Sequence, residues 1–154
     1  RRSGVACRLS WTSKSSLKRQ LVRTDLRGPK CPISRGRCMP CASGFSGTCA
    51  TNNVVYEVTC TLCGARYVGE CIRPVRDRFF DHRRAAFRKD IGNPVGYHFC
   101  TEHQHDVLPE IPIQGTILAK CRDHVDRKLT ETIFIRDTKP LMNANTSSWR
   151  TLDK

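Results

Sequence analysis

A chain of 154 residues with 38% hydrophobic content suffices for one domain, or for one domain with an appendage. No apolar run approaches the roughly 18–20 residues of a transmembrane helix, so a soluble chain with no membrane partner is expected. The net charge of +13 is uneven: residues 1–49 carry eleven Lys/Arg against Asp25 alone, while the rest carries sixteen basic and thirteen acidic side chains. A basic arm beside a nearly neutral body is the footprint of polyanion binding, and the arm lacks the sustained apolar face that a lipid surface requires. The chain opens Arg1-Arg2 rather than with methionine, so a piece of a longer polypeptide is expected.

In chain order, residues 12–27 are predicted as a short basic helix, with Leu17 and Leu21 at i and i+4. Residues 28–53 are rich in Gly, Pro, Ser and Cys and have little apolar material, so they order only if something staples them. Two β-type stretches follow, Val54-Val55-Tyr56-Glu57-Val58-Thr59 and Ala65-Arg66-Tyr67-Val68-Gly69. The turn Cys60-Thr61-Leu62-Cys63-Gly64 between them predicts an antiparallel hairpin. A helix over 74–89 opens at Pro74, where a missing N–H costs nothing. Arg78 and His82, four apart, share one face of it. Val75, Phe79 and Phe87 are expected in the core, with Arg83, Arg84, Arg88 and Lys89 on a wet flank.

Gly92-Asn93-Pro94 ends that helix. A His-rich loop, a strand over 113–118 and a helix over 122–137 come next, the last with Val125, Leu129 and Ile133 on its apolar stripe. Pro140 stops regular structure. The order β-β-α-β-α predicts an α+β fold, a small three-stranded antiparallel sheet flanked by helices. Residues 1–49 form its basic Cys-rich extension, and residues 50–154 form the domain proper. Candidate nucleic-acid contacts are Arg23, Arg27, Arg35 and Arg37 on the extension and Arg83, Arg84 and Arg88 on the helix.

Six of the ten cysteines fall into two informative groups. Cys60-x2-Cys63-Gly64 has zinc-knuckle spacing, in which two thiolates converge and the glycine turns backbone N–H groups toward sulfur. A closed tetrahedral site needs two further ligands. His98 and then His103 or His105 supply them, with Cys100 as a substitute. Cys31, Cys38, Cys41 and Cys49 lie in a stretch without a core and read as either a second zinc site or two disulfides; a reducing compartment favours zinc. Cys7, Cys71, Cys100 and Cys121 read as ordinary small buried residues.

Tyr56, Tyr67, Arg78 and His82 put two phenols, a guanidinium and an imidazole on one hairpin and the helix after it. With the later Glu131 and Asn143, this ordered set resembles the GIY-YIG nuclease superfamily. The narrower resemblance is to the endonuclease domain at the C-terminal end of Penelope-like retroelement reverse transcriptases. It rests on the Cys-x2-Cys hairpin with Tyr67-Val68-Gly69-Glu70, on Pro94-Val95-Gly96-Tyr97-His98-Phe99, and on the run from Glu131 to Arg136 and on through Pro140 to Asn143. It covers residues 50 to about 145. It departs at Cys71, where the family commonly has threonine.

The resemblance implies a metal-dependent DNA endonuclease that nicks one strand and leaves a 3′-OH for a linked reverse transcriptase. Tyr56 would be the general base, with His82 taking up or sharing its proton. Tyr67 would position water or phosphate, and Arg78 would grip phosphate oxygens through its planar fork. Glu131 would be the sole carboxylate on a catalytic Mg2+ (or Mn2+), since Asp77, Asp81 and Asp137 point to other faces. Asn143 would brace the site, and Gly69 would leave room for phosphate. A Cys-Cys-His-His zinc finger, DNA and element RNA as partners, a reverse transcriptase domain on the parent chain and a nuclear location complete the expectation. The competing class is an inactive, zinc-stabilised nucleic-acid-binding module from a degenerate element.

Overall fold

The computed structural model of the protein describes residues 31, 38–42, 48–106 and 110–144. The predicted basic helix over 12–27, Cys7, and Arg23, Arg27, Arg35 and Arg37 lie outside the described residues. Val54, Val55 and Val58 favour extended backbone, and β1 (Val54–Cys60) is the central strand of an antiparallel sheet. β2 (Arg66–Cys71) and β3 (Ile113–Lys120) flank it, in the order β2-β1-β3. The hairpin turn closes as Cys60 N–H donates to Ala65 C=O at 2.9 Å and Gly64, at φ +74°, donates to Cys60 C=O at 2.9 Å. Tyr56 stands opposite Gly69, and Tyr67 opposite Val58. The register against β3 shifts between Val55 and Tyr56, whose partners are Ala119 and Ile117, so Leu118 is the extra residue of a bulge in β3 beside Tyr56.

Helices cover both faces of the sheet. α1 (Met39–Ala42) is a single turn; α2 (Val75–Arg88), α3 (Pro94–Thr101) and α4 (His124–Thr138) are longer, and a 3-10 turn spans Leu141–Asn143. On one face Tyr56, Val58, Tyr67 and Cys71 pack with Phe79, Phe99 and Met142. On the other, Val55, Val68 and Ala119 pack with Cys121 and Phe134. The predicted α+β class and three-stranded antiparallel sheet hold. No helix among the described residues is long and apolar enough to cross a membrane.

Three expectations need correction. The His-rich segment begins as helix α3 rather than as loop. Asn93 is its N-cap, the Asn93 carboxamide oxygen accepting from Val95 N–H at 3.0 Å and Gly96 N–H at 3.4 Å, with Pro94 in the first turn. α2 itself ends earlier than expected, at Arg88, where Lys89 in the left-handed region (φ 52°) closes the last turn, so Gly92-Asn93-Pro94 marks the start of α3 and not the stop of α2. Phe87 is 76% exposed instead of buried, because Val75, Phe79, His82, Ala85 and Ala86 occupy the core face of α2. Val125 and Leu129 are also exposed. α4 turns Arg127, Thr130 and Phe134 inward instead. Arg127 pairs with Glu70 of β2 and donates to Asn53 Oδ1 at 2.9 Å, and that buried cation fixes the helix rotation.

α3 lies hard against the end of α2. A Cβ on Gly96 would stand 2.3 Å from Asp90 C=O and 2.9 Å from Ala85 C=O, both backbone atoms that cannot step aside. Gly96→Ala should cost about 1–3 kcal/mol of stability through overpacking, read as a lower midpoint in urea unfolding with an unchanged slope. A midpoint equal to that of the natural chain would mean that the two helices separate freely.

Candidate active site and metal centres

The Tyr56 hydroxyl is the centre of the first group. It lies 2.7 Å from His82 Nε2 and receives a hydrogen bond from Arg78 Nε at 3.2 Å. His82 Nδ1 is 3.2 Å from Asn93 Oδ1. That oxygen already accepts two backbone N–H groups, so it is the carbonyl end of the amide that faces the ring. Nδ1 therefore carries the proton, and Nε2 offers its lone pair to the phenol. Burial, aided by the Arg78 charge, brings the His82 pKa down to about 4, so the ring is neutral at pH 7. Burial pushes the Tyr56 phenol well above its ordinary 10, against the opposing pull of Arg78. The resting state is thus a neutral chain: Tyr56 O–H to His82, and His82 N–H to Asn93.

Tyr67 joins this group from the neighbouring strand, its ring centroid 5.0 Å from that of His82 and 6.4 Å from that of Tyr56. Gly69 makes the convergence sterically feasible. A Cβ there would lie 2.8 Å from the Tyr67 hydroxyl and 2.9 Å from the Tyr56 hydroxyl. The space at Gly69 is occupied by the two phenols themselves, not left open for phosphate as expected. Glu131 approaches from α4; burial and nearby Glu70 raise its pKa, and Lys128 opposes. Its carboxylate is 3.5 Å from Lys128 Nζ, and its charge is felt at Tyr67. Glu70 is a second carboxylate beside it, but Arg127 and Lys128 hold it, Lys128 at 2.9 Å. Asp77 and Asp81 are engaged by Arg76 at 3.5 Å and Arg73 at 2.9 Å. Asn143 braces the edge strand: its Oδ1 accepts from Val68 N–H and its Nδ2 donates to Val68 C=O, both at 2.8 Å.

Beside this group a cleft of about 230 Å³ is lined by Arg78, Arg84 and Arg88, with Asp81, Asp90 and Asn93. Arg83, the remaining helix arginine of the nucleic-acid set, is half-buried and is not among the cleft's lining residues.

The hairpin tip and α3 carry the first metal group. The ligand atoms of Cys60, Cys63, His98 and His103 all lie within 4.8 Å of one another. Cys60 Sγ is 3.5 Å from His103 Nε2, and Cys63 Sγ is 3.4 Å from His98 Nε2. A tetrahedral zinc ion with ordinary bonds separates sulfur and nitrogen ligands by about 3.6 Å. His103 Nδ1 lies 2.8 Å from Asp106 Oδ2, the outer carboxylate that orients a metal-binding imidazole. Burial raises the Cys63 thiol pKa, but the Ala65 N–H and His103 outweigh that and leave it below its usual value. The group fits a zinc-like ion. His103 completes it; the exposed His105 and the half-buried Cys100 lie outside it. Cys31, Cys38, Cys41 and Cys49 form a second group of the same dimensions, again within 4.8 Å. No disulfide is present among the described residues, so the two-disulfide alternative is not the arrangement seen. Of the cysteines expected to be ordinary, Cys71 and Cys121 are buried and Cys100 is half-buried.

No family model, curated protein or solved structure matches the chain.

Three contributors escape a reading of the sequence alone. Asn93 orients His82, Asp106 orients His103, and Glu70 sets the charge around Glu131. Asn93 had a legible signal, since Asn followed by Pro is a helix-start pattern. The other two depend on tertiary placement.

The His82 assignment has a consequence for stability. An unfolded histidine titrates near 6.5, the folded one near 4, so between those values only the unfolded chain gains the proton. His82 therefore contributes its full stability above pH 6.5 and loses it as pH falls toward 4, an effect on the order of 3 kcal/mol. Relative to the natural chain, His82→Gln should flatten the urea-unfolding free energy across this window. Parallel pH profiles for the two proteins would mean that the ring is not held neutral.

Proposed function

We propose that the protein is a GIY-YIG-type, metal-dependent DNA endonuclease of the Penelope-like retroelement kind. The observation that carries this reading is the Tyr56 hydroxyl, held at once by His82 Nε2 and Arg78 Nε beside Tyr67, a phenol that in turn feels the charge of Glu131. Phosphodiester hydrolysis needs a proton acceptor for the attacking water, cations on the phosphoryl oxygens and support for the leaving oxygen. His82, neutral and fixed by Asn93, takes the phenolic proton at Nε2. Tyr56 then serves as the acceptor toward water, while Arg78 stabilises both the phenolate and a phosphate oxygen. Tyr67 orients the substrate from the rim.

Glu131 would hold the divalent ion, and a single carboxylate with several waters is a donor set that Mg2+ accepts. The ion would supply Lewis-acid charge stabilisation when bound. Arg84 and Arg88, on the cleft that Arg78 also lines, would take flanking phosphates. In this reading the partners are DNA, element RNA and a reverse transcriptase domain on the same parent chain, and the working place is the nucleus. One observation favours an inactive, zinc-stabilised nucleic-acid-binding module instead: Tyr56 is 0% exposed, so its hydroxyl has no direct contact with bulk water.

Nicking of supercoiled plasmid with Mg2+ or Mn2+ separates the two. The natural chain should nick and leave 3′-OH ends that a polymerase extends. Tyr56→Phe should lose about 100-fold or more in rate, the scale of general acid–base catalysis. Glu131→Gln should lose metal-dependent nicking while retaining DNA affinity. Metal-independent binding without any nicking would establish the non-catalytic module, and near-normal cleavage by Glu131→Gln would remove that residue from the mechanism.

A further inference from the structure

The four-cysteine group is wired to the start of the helix that presents Arg78 and His82. Arg76 N–H donates to Cys49 C=O at 2.9 Å, and Val75 N–H donates to Thr51 C=O at 2.9 Å. Helices leave their first N–H groups without internal partners, and a Ser, Thr, Asp or Asn side chain usually accepts one of them. The cap residue of α2 is Pro74, which has no such side chain. Backbone carbonyls of the 48–51 turn do the work instead. Thr51 N–H closes that turn onto Thr48 C=O at 2.9 Å, and Cys49 within it is 1% exposed.

Residues 28–53 have little apolar material, and among the described residues no hydrophobic core cluster includes that turn. Cys38, Pro40 and Cys49 are its buried side chains among the described residues up to residue 50, and α1 between them packs on α2. Cys38 and Cys49 sulfurs lie 3.5 Å apart, close to the about 3.7 Å of two thiolates on one zinc ion and far from a 2.05 Å disulfide bond.

We propose that Cys31, Cys38, Cys41 and Cys49 form a second, structural zinc centre whose role is to clamp the N-terminus of α2 through the Cys49 and Thr51 carbonyls. Four cysteine thiols give their protons to solvent as the ion binds, leaving a tetrathiolate centre of net charge −2. Negative charge is favoured at a helix N-terminus, so the centre and the helix stabilise each other. Arg78 sits in the first turn beyond the clamp, so the clamp sets where its guanidinium meets Tyr56. The inference does not depend on the nuclease reading.

The test uses the full chain purified with zinc under reducing conditions. Metal analysis should give two ions per chain, and Cys41→Ser should retain one, held by Cys60, Cys63, His98 and His103. In that variant the amides of Val75 and Arg76 should exchange at least about tenfold faster. Val95 and Gly96, capped by Asn93 at the start of α3, should keep their protection. Cys41→His, which restores a zinc ligand, should recover both the second ion and the slow exchange. Should Cys41→Ser not fold, graded chelation of the natural chain gives the same comparison: one of two ions leaves together with protection at Val75 and Arg76. A single ion per chain, or two ions retained in Cys41→Ser, overturns the centre. Loss of the second ion without faster exchange at Val75 and Arg76 overturns the clamp.

Discussion

The carboxamide oxygen of Asn93 is the contact on which the arrangement turns. It caps α3 through two backbone N–H groups and accepts His82 Nδ1–H from α2, so one atom ties two helices and sets one tautomer. Turning the amide would put an NH2 group against Val95 and Gly96 N–H, leaving buried donors facing donors. The cost of that swap keeps Nε2 of His82 unprotonated and available to Tyr56. Gly96 permits the contact, since any larger residue would push α3 off the end of α2.

α3 buries Val95 and Phe99 in the core and is fixed at both ends by polar chemistry as well. Its beginning is held by Asn93 and its close approach to Asp90. Its body carries His98, and His103 follows just past its end; their ring nitrogens meet the hairpin sulfurs of Cys63 and Cys60 respectively. A metal in that group would join the β1–β2 turn to α3, and α3 in turn orients His82 against Tyr56 of β1. The loop of constraints thus closes on the same strand. A small domain has too little core to hold its peripheral helices by burial alone, and metal or polar clamps stand in for the missing area.

Much of this was readable from local pattern. The alternating Val/Tyr stretches, the Cys-x2-Cys-Gly turn and the i, i+4 spacing of Arg78 and His82 specify the hairpin, the helix and their facing groups. Those signals work because strand and helix periods are short and strong. Gly92-Asn93-Pro94 reads as a stop in the sequence but works as the start of α3, while α2 already ends at Arg88 through the left-handed Lys89, a residue with no terminator signature. The inward face of α4 departs from its apolar pattern for a different reason. Val125, Leu129 and Ile133 make a plausible apolar stripe, but Arg127 wins the inward position through Glu70 and Asn53. A buried ion pair between residues 57 positions apart has no periodic signature in either segment. The choice of His103 over His105 was equally out of reach, since it depends on how the chain leaves α3.

The Arg127–Glu70 pair also bears on the chemistry. Leaving either partner unmatched in this setting would be costly, so the pair holds α4 firmly against the edge strand β2. Glu70 and Lys128 then frame Glu131, one raising its affinity for a proton and the other lowering it. Asn143 occupies the main-chain groups of Val68 two residues earlier on the same edge. An edge strand normally offers its open N–H and C=O groups to any passing chain. Here side chains from α4 and the C-terminal turn take them up, which protects the edge and brings a carboxylate to within electrostatic reach of Tyr67. Sealing the sheet and assembling the site are therefore achieved by the same contacts, and a substitution that opens this edge would loosen both.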